Sequence, residues 1–212
     1  MIEFLNRYGA EIIQRVLEHL YLVTVAISIA IIVGMPLGIL VTRKPKLKKP
    51  ILGFANIMQT IPSLALFGLL IPVPVLGGIG DRTAIIALTL YSLLPIIRNT
   101  YTGIVGVDPA IREAGRGMGM TDMQLLWQVE LPLALGVILA GVRVAAVIAI
   151  GLATIAAAIG AGGLGVFIFR GVATINNQLL LAGAIPSALM ALAADFGLGL
   201  LEGLLSKRSD GG

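Results

Sequence analysis

Residues 20–41 read LYLVTVAISIAIIVGMPLGILV and carry no charged side chain. At ~1.5 Å per residue, a helix of these 22 residues is ~33 Å long and matches the ~30 Å hydrocarbon core of a bilayer. The run is longer than the apolar region of a signal peptide, and no small-residue cleavage site follows it. We therefore predict that this stretch is a membrane-spanning helix.

The composition of the whole chain agrees with a membrane protein. Of its 212 residues, 58% are hydrophobic and 12% are charged, and the mean hydropathy is +1.00. A soluble domain carries about 25% charged residues, because its exterior must be polar. The chain has no cysteine and one histidine, so the sequence predicts no disulfide framework and no metal site.

The remaining apolar runs predict an all-α polytopic membrane protein with about five transmembrane helices. The predicted organisation is an N-terminal amphipathic segment at 1–19, a transmembrane domain at 20–205 and a tail at 206–212. The predicted spans cover residues 20–41, 51–71, 83–103, 137–159 and 179–201.

Basic residues predict the orientation of these spans, since they concentrate on the cytoplasmic side. Five spans place the termini on opposite sides, and an outside N-terminus with a cytoplasmic C-terminus gives ten basic residues inside and four outside. The inside set is Arg43, Lys44, Lys46, Lys48, Lys49, Arg98, Arg112, Arg116, Lys207 and Arg208. The pI near 9.7 is therefore explained mainly by membrane topology, and nucleic-acid binding is disfavoured.

Residues 108–132, DPAIREAGRGMGMTDMQLLWQVELP, form the longest polar stretch and predict two short helices around a glycine bend. Asp108 caps the first helix, and Pro109 suits its first position. Thr121 followed three residues later by Gln124 forms a capping box for the second helix, which Pro132 follows. Such a unit is either a rigid docking knob for a soluble partner or an ordinary interfacial loop.

This stretch resembles a motif of a known family. The segment Glu113-Ala114-Gly115, three residues, Gly119, nine residues, Val129, one residue and Leu131-Pro132 resembles the EAA loop of permease subunits of binding-protein-dependent ABC importers. The chain departs from that pattern at Gly115, where the family has alanine, and at Val129, where it has isoleucine. The spacing is unchanged.

Further segments resemble the osmoprotectant branch of that family, which imports glycine betaine, carnitine, choline or related solutes. They are QTIPSLALFGLLIP (59–72), LPIIRNTYTGIVGVDP (94–109), GMGMTDMQLLWQVELPLAL (117–135) and IGAGGLG (159–165). The resemblance implies a type I, MetI-like permease core in a bacterial cell membrane. It also implies a second permease, identical or paralogous, two ATPase subunits and an external solute-binding protein.

The resemblance implies that the chemistry of ATP lies outside this chain. The sequence has no G-x-x-x-x-G-K-[ST] phosphate loop, so ATP and magnesium are expected on the partner ATPase, and this chain is expected to bind no cofactor. The matching positions imply an ATPase-coupling contact formed by Arg112, Glu113, Ala114, Gly115, Arg116 and Gly119.

Polar residues within the predicted spans are candidates for a solute path. Asn56, Gln59, Thr60 and Ser63 have the spacing i, i+3, i+4 and i+7, which places them on one helical face. Such a stripe either lines the path or bonds to another helix, and Pro62 is expected to bend the span. Tyr91 is a further path candidate.

Asp195 is the clearest ionisable residue inside a span, and it either attracts a cationic solute or pairs with Arg143 or Arg170. We favour the ion pair. The glycines of GAGGLG (160–165) predict a tight turn with positive φ, since no strand precedes them.

Other classes of protein fit the sequence less well. The metalloprotease string H-E-x-x-H and the hydrolase string G-x-S-x-G are both missing, so no catalytic residues are predicted. An importer permease for an amino acid or another small solute, or a membrane subunit without a transport role, remains an alternative.

Overall fold

The computed structural model describes residues 2–74 and 77–209, within which helices dominate and no β-strand occurs. The α-helices are α1 (Ile2–Arg43), α2 (Lys48–Thr60), α3 (Ser63–Leu70), α4 (Asp81–Val105), α5 (Pro109–Gly117), α6 (Asp122–Leu125), α7 (Leu131–Ala156), α8 (Gly165–Ala173) and α9 (Asn177–Ser209). Short 3₁₀ turns at Pro45–Leu47 and Ala157–Ile159 and a π-helical turn at Leu126–Glu130 connect some of them.

The helices of this part of the chain support the prediction of about five spans. Four segments are long and apolar enough to cross a bilayer: Arg7–Arg43, Asp81–Val105, Asp122–Ile159 and Asn177–Leu205. The pair Pro45–Thr60 and Ser63–Leu70 makes a fifth if it counts as one bent span. The all-α membrane fold is therefore confirmed, and the orientation stays a prediction.

Helix α1 is continuous across residue 20, where the sequence predicted a boundary between an interfacial segment and the first span. Its 42 residues reach ~63 Å, about twice the hydrocarbon core. Two contacts hold the part of α1 just before that boundary against the rest of the fold. The buried His19 ring places Nε2 3.1 Å from the carbonyl oxygen of Ile150, and Glu18 accepts a 3.0 Å hydrogen bond from the Gly163 N–H.

The second predicted span is not one straight helix. Helices α2 and α3 meet at an angle of 104°, and the break lies at Ile61 and Pro62. Ile61 is extended, with φ −69° and ψ 129°, as is usual for a residue before proline. The expected bend at Pro62 is therefore present, and it divides the predicted span 51–71 between two helices.

Helix α4 lies at the centre of the fold and contacts α1, α2, α3 and α7. Small residues allow its neighbours to approach closely, as is common between membrane helices. A Cβ atom added to Gly38 of α1 would lie 2.5 Å from the Cβ of Thr100, and one added to Gly141 of α7 would lie 2.5 Å from the Cβ of Asn99. A side chain at either position would push the helices apart.

The turn after α7 has the predicted conformation. Gly160, Gly162 and Gly163 have φ values of 77°, 78° and 73°, in the left-handed region that favours glycine. The short helix α8 follows directly and packs against α9.

Candidate coupling site and polar groups of the spans

The loop from Asp108 to Pro132 forms the predicted helix–bend–helix. Asp108 Oδ1 accepts a 2.8 Å hydrogen bond from the Ala110 N–H and caps α5. Thr121 Oγ1 accepts from the Gln124 N–H at 3.3 Å, and the Thr121 N–H donates to Gln124 Oε1 at 2.9 Å, which completes the capping box of α6. The bend between them contains Gly119, with φ +85°.

The second helix of the loop does not end before the membrane span. Helix α6 continues through the π-helical turn Leu126–Glu130 directly into α7, so that Asp122–Ile159 forms one helical segment. Pro132 was expected to follow the helix, but it lies at the start of α7. Proline is tolerated at this position because the preceding π-helical turn already interrupts the regular α-helical hydrogen bonds. The N–H that proline lacks is therefore not needed to continue them. The loop and this span therefore share one helical segment.

Gly115 faces the interior of the loop. Gly115 is buried, and a Cβ atom added to it would lie 2.8 Å from Leu125 Cδ1 and 3.1 Å from Met120 Sδ. Its lack of a side chain thus allows α5 to pack on α6.

Both arginines of the predicted coupling contact have partners within the chain. Arg112 Nη2 donates to the carbonyl oxygens of Val105 and Val107 at 2.9 and 2.6 Å, and so ties α5 to the end of α4. Arg116 lies 3.7 Å from Asp122, across the bend, in an exposed ion pair. Arg112 is therefore hydrogen-bonded within the chain, whereas Arg116 forms only a solvent-exposed ion pair that contributes little to stability.

The outer surface of α5 carries Glu113 and Ala114, which are exposed. Beside them lie Ile111 and Met118, whose exposed fractions are 44% and 78%. The sequence analysis missed these two apolar residues, although Ile111, Ala114 and Met118 have the spacing i, i+3 and i+7 of a helical stripe. We call Ile111, Ala114 and Met118 the α5 stripe, and Glu113 is exposed next to it on an adjoining face of the helix.

An ion pair between Arg43 and Glu130 joins the end of α1 to the π-helical turn. Glu130 is only 1% exposed, Arg43 Nη1 lies 3.4 Å from its Oε1, and Arg43 Nη2 donates to its Oε2. No sequence signal predicts this pair, because the residues are 87 positions apart and neither belongs to a motif.

The polar stripe of the second span is divided by the break. Asn56, Gln59 and Thr60 lie on α2, whereas Ser63 begins α3 beyond the 104° bend, so the expected common face of four residues is wrong. Asn56 and Thr60 are exposed, and Gln59 and Ser63 are half-buried.

Tyr91 of α4 stabilises that break. Its hydroxyl donates to the carbonyl oxygen of Ile61, and its own carbonyl oxygen accepts a 2.8 Å hydrogen bond from Gln59 Nε2. The hydroxyl therefore satisfies a backbone carbonyl that the bend removes from the helix. Tyr91 is 5% exposed.

Asp195 forms the favoured ion pair with Arg143. Its Oδ1 accepts from Arg143 Nε at 2.6 Å, and Arg143 Nη1 also lies 3.2 Å from Glu202 Oε2. The other candidate partner, Arg170, lies 3.0 Å from Glu11. The Arg143, Asp195 and Glu202 side chains are 37%, 41% and 30% exposed and line a cavity of about 350 Å³. Charged groups at membrane depth face protein or water, so this side of α7 and α9 faces one of them.

No group of three or more histidine, cysteine or acidic side chains is arranged to hold a metal ion in the described part of the chain.

The described residues thus combine several apolar helices long enough to cross a membrane with an exposed helix–bend–helix loop that continues into one of them. The sequence matches the model of the family described as "Binding-protein-dependent transport system inner membrane component" over residues 26–208, and the chain belongs to this family. It is thus an inner-membrane transport subunit, and ATP is hydrolysed by separate ATPase subunits of such importers.

The chain is similar to permease proteins of two bacteria over nearly its whole length. It is 48% identical over 204 residues to the glycine betaine/carnitine/choline transport system permease protein OpuCD of Bacillus subtilis (strain 168), covering 96% of this chain and 88% of the relative. It is 48% identical over 193 residues to the osmoprotectant import permease protein OsmW of Salmonella typhimurium, covering 90% of each.

A solved structure confirms the MetI-like fold. The inward-facing MetNI methionine ABC transporter contains a chain with a TM-score of 0.75 and 29% identity, covering 88% of this chain and 94% of that one.

Proposed function

We propose that the chain is a permease subunit of an ATP-driven importer for a quaternary-ammonium compatible solute such as glycine betaine, carnitine or choline. The observation that carries this proposal is the 48% identity to two osmoprotectant permeases along most of their lengths. The importer would contain a second permease, identical or paralogous, two ATPase subunits and an external solute-binding protein.

The α5 stripe is the proposed contact with the ATPase. Its exposed apolar residues can enter a groove of the partner, while Glu113 can pair with a basic group there. Closure of the ATPase pair would move α5 and α6 together, because Gly115 packs them closely. The continuous segment Asp122–Ile159 would carry this movement into the membrane.

The proposed orientation has the N-terminus outside and the C-terminus in the cytoplasm. It places the coupling loop on the cytoplasmic side, where ATP is available, and gives that side ten of the fifteen basic residues. Cysteines introduced at Gln178 and at Met118, one at each end of the molecule, test this with a membrane-impermeant thiol reagent. We expect labelling of intact cells at Gln178 only.

The proposed solute path includes Asn56, Gln59, Thr60, Ser63 and Tyr91, at the break between α2 and α3. Irregular backbone at membrane depth is tolerated where it is buried in protein or lines a water-filled cavity, which supports a path there. Asp195 is a further candidate for the path, but its carboxylate is already paired with Arg143, so a solute would have to compete with that ion pair.

Uptake by whole cells tests the substrate. Cells that lack their own osmoprotectant importers and carry the complete system are given labelled betaine, carnitine or choline, with methionine and histidine as unlabelled competitors. We expect saturable, ATP-dependent uptake of at least one quaternary amine and no competition by the amino acids. Competition by an amino acid, without uptake of any quaternary amine, would favour the alternative class of amino-acid importer.

A further inference from the structure

The segment after α1 carries a concentration of positive charge that the transport mechanism does not use. Residues 43–49 read RKPKLKK, and Lys44, Lys46 and Lys49 are exposed. Lys48 donates a 2.9 Å hydrogen bond to the hydroxyl of Tyr101 and lies 4.3 Å from the centre of its ring. None of the ion pairs formed within the described residues includes a lysine.

An apolar groove begins beside this segment. It lies between the second half of α1 and the segment from α6 to the start of α7, has a volume of about 840 Å³ and is lined mainly by apolar side chains. Ile32, Met123 and Trp127 line it and are 71%, 64% and 63% exposed. Such a surface needs an apolar occupant.

The groove has the length of one leaflet. It follows α1 from Ile31 to Arg43, a rise of ~18 Å, whereas half of the ~30 Å hydrocarbon core is ~15 Å. Trp127 lies in the turn that begins the neighbouring span, and tryptophan is enriched at the membrane–water boundary. An acyl chain of a lipid matches this groove in length and chemistry.

The carboxylates beside the groove are already neutralised. Glu130 is paired with Arg43, and Asp122 lies 3.7 Å from Arg116. The lysines therefore give this end of the groove a net positive charge. A phospholipid headgroup with a net negative charge is therefore favoured there over a zwitterionic headgroup, whose ammonium cancels the charge of its phosphate.

We propose that the groove binds one anionic phospholipid of the leaflet on the coupling-loop side, with an acyl chain along α1 and the phosphate among Lys44, Lys46 and Lys49. The lipid would contact both α1 and the segment that joins the coupling loop to α7. This inference goes beyond the proposed function, because it depends neither on the solute nor on the orientation of the chain.

Trp127 is the only tryptophan of the chain and provides the test. The full chain is placed in nanodiscs of phosphatidylcholine that contain increasing fractions of phosphatidylglycerol brominated on its acyl chains, and its fluorescence is recorded. Brominated phosphatidylcholine is the reference. We expect half-maximal quenching at roughly tenfold lower fractions of the anionic lipid, since each lysine near the surface favours an anionic headgroup severalfold.

Two variants separate the headgroup site from the groove. The triple variant K44Q/K46Q/K49Q should quench equally with both lipids, whereas R7Q/R82Q, which removes cations from the other end of the molecule, should keep the preference. In Met35→Phe/Ile39→Phe, larger side chains fill the groove, and quenching by both lipids should fall. Size-exclusion chromatography checks that each variant is folded. If the triple lysine variant is not folded, Met35→Phe/Ile39→Phe tests the proposal alone.

Three results would overturn the proposal. Equal quenching of the unmodified chain by both lipids would mean that the groove does not select a charge. An unchanged preference in the lysine variant would place the selectivity elsewhere. Loss of quenching when the ATPase subunits are bound, together with loss of ATPase association in the lysine variant, would assign the surface to a protein contact.

Discussion

The buried carboxylate of Glu130 pairs with the guanidinium of Arg43, and this pair joins the end of α1 to the π-helical turn before α7. The basic segment begins at Arg43, and the π-helical turn that ends at Glu130 follows the proposed coupling loop. The pair therefore connects that loop to the end of the first span.

Removal of Arg43 should destabilise the chain strongly, because it leaves Glu130 charged and buried. We expect Arg43→Met to lower the free energy of unfolding by about 3 kcal/mol, as is typical of a broken buried pair. The double variant Arg43→Met/Glu130→Leu should recover most of the loss, since no unpaired charge remains. Thermal unfolding of the purified complex measures both, and additive losses in the double variant would contradict the account.

Substitutions at the neighbouring positions 114 and 115 should have different effects. Ala114→Arg places a long charged side chain on the α5 stripe, and we expect loss of ATPase association with an unchanged melting temperature. Gln178→Arg adds the same group at an exposed position of the other end and serves as the control.

Gly115→Ala should instead act within the loop. The new methyl group would lie 2.8 Å from Leu125 Cδ1 and 3.1 Å from Met120 Sδ, so at least one of these side chains must shift. We expect destabilisation by about 1–3 kcal/mol, measured by thermal unfolding of the permease without the ATPase. A stable Gly115→Ala permease that fails to bind the ATPase would place Gly115 at the intermolecular surface.

The hydroxyl of Tyr91 should matter for the bend between α2 and α3. Tyr91→Phe leaves the partly buried Ile61 carbonyl without this partner, and the loss of one such hydrogen bond costs about 1 kcal/mol. Tyr101→Phe is the matched control, because its hydroxyl bonds to the exposed Lys48. We expect a lower melting temperature in the first variant only, and equal stability of both would contradict the role of Tyr91.

Local signals predicted the coupling loop well, because its caps depend on neighbouring residues. Asp108 and the Thr121–Gln124 box have the predicted geometry. Contacts between residues that are distant in the sequence could not be predicted. The spacing of residues does not reveal that Glu130 contacts Arg43 or that Gly115 faces Leu125.

The second span illustrates both outcomes. Pro62 predicted a bend, since proline removes a helical hydrogen bond, but not its size. The spacing therefore predicts Ser63 on the same face as Asn56, whereas the angle of 104° between α2 and α3 separates the two residues.

The two carboxylates around Arg143 should be partly redundant. In Asp195→Asn, Glu202 remains 3.2 Å from Arg143 Nη1 and preserves one charged hydrogen bond. We therefore expect this variant to keep the uptake KM of the parent and to lose little stability. Asp195→Asn/Glu202→Gln leaves a cation at membrane depth without a carboxylate, which should reduce the yield of folded protein sharply.

Uptake kinetics and thermal unfolding, measured on the same preparations, distinguish the ion pair from a solute-binding role of Asp195. A structural pair affects stability and expression, whereas a contact with a cationic solute affects KM. Glu202→Gln is the control, since it removes one carboxylate and keeps the 2.6 Å contact of Asp195 with Arg143. A severalfold higher KM in Asp195→Asn, with the melting temperature of the parent, would indicate that Asp195 contacts the solute.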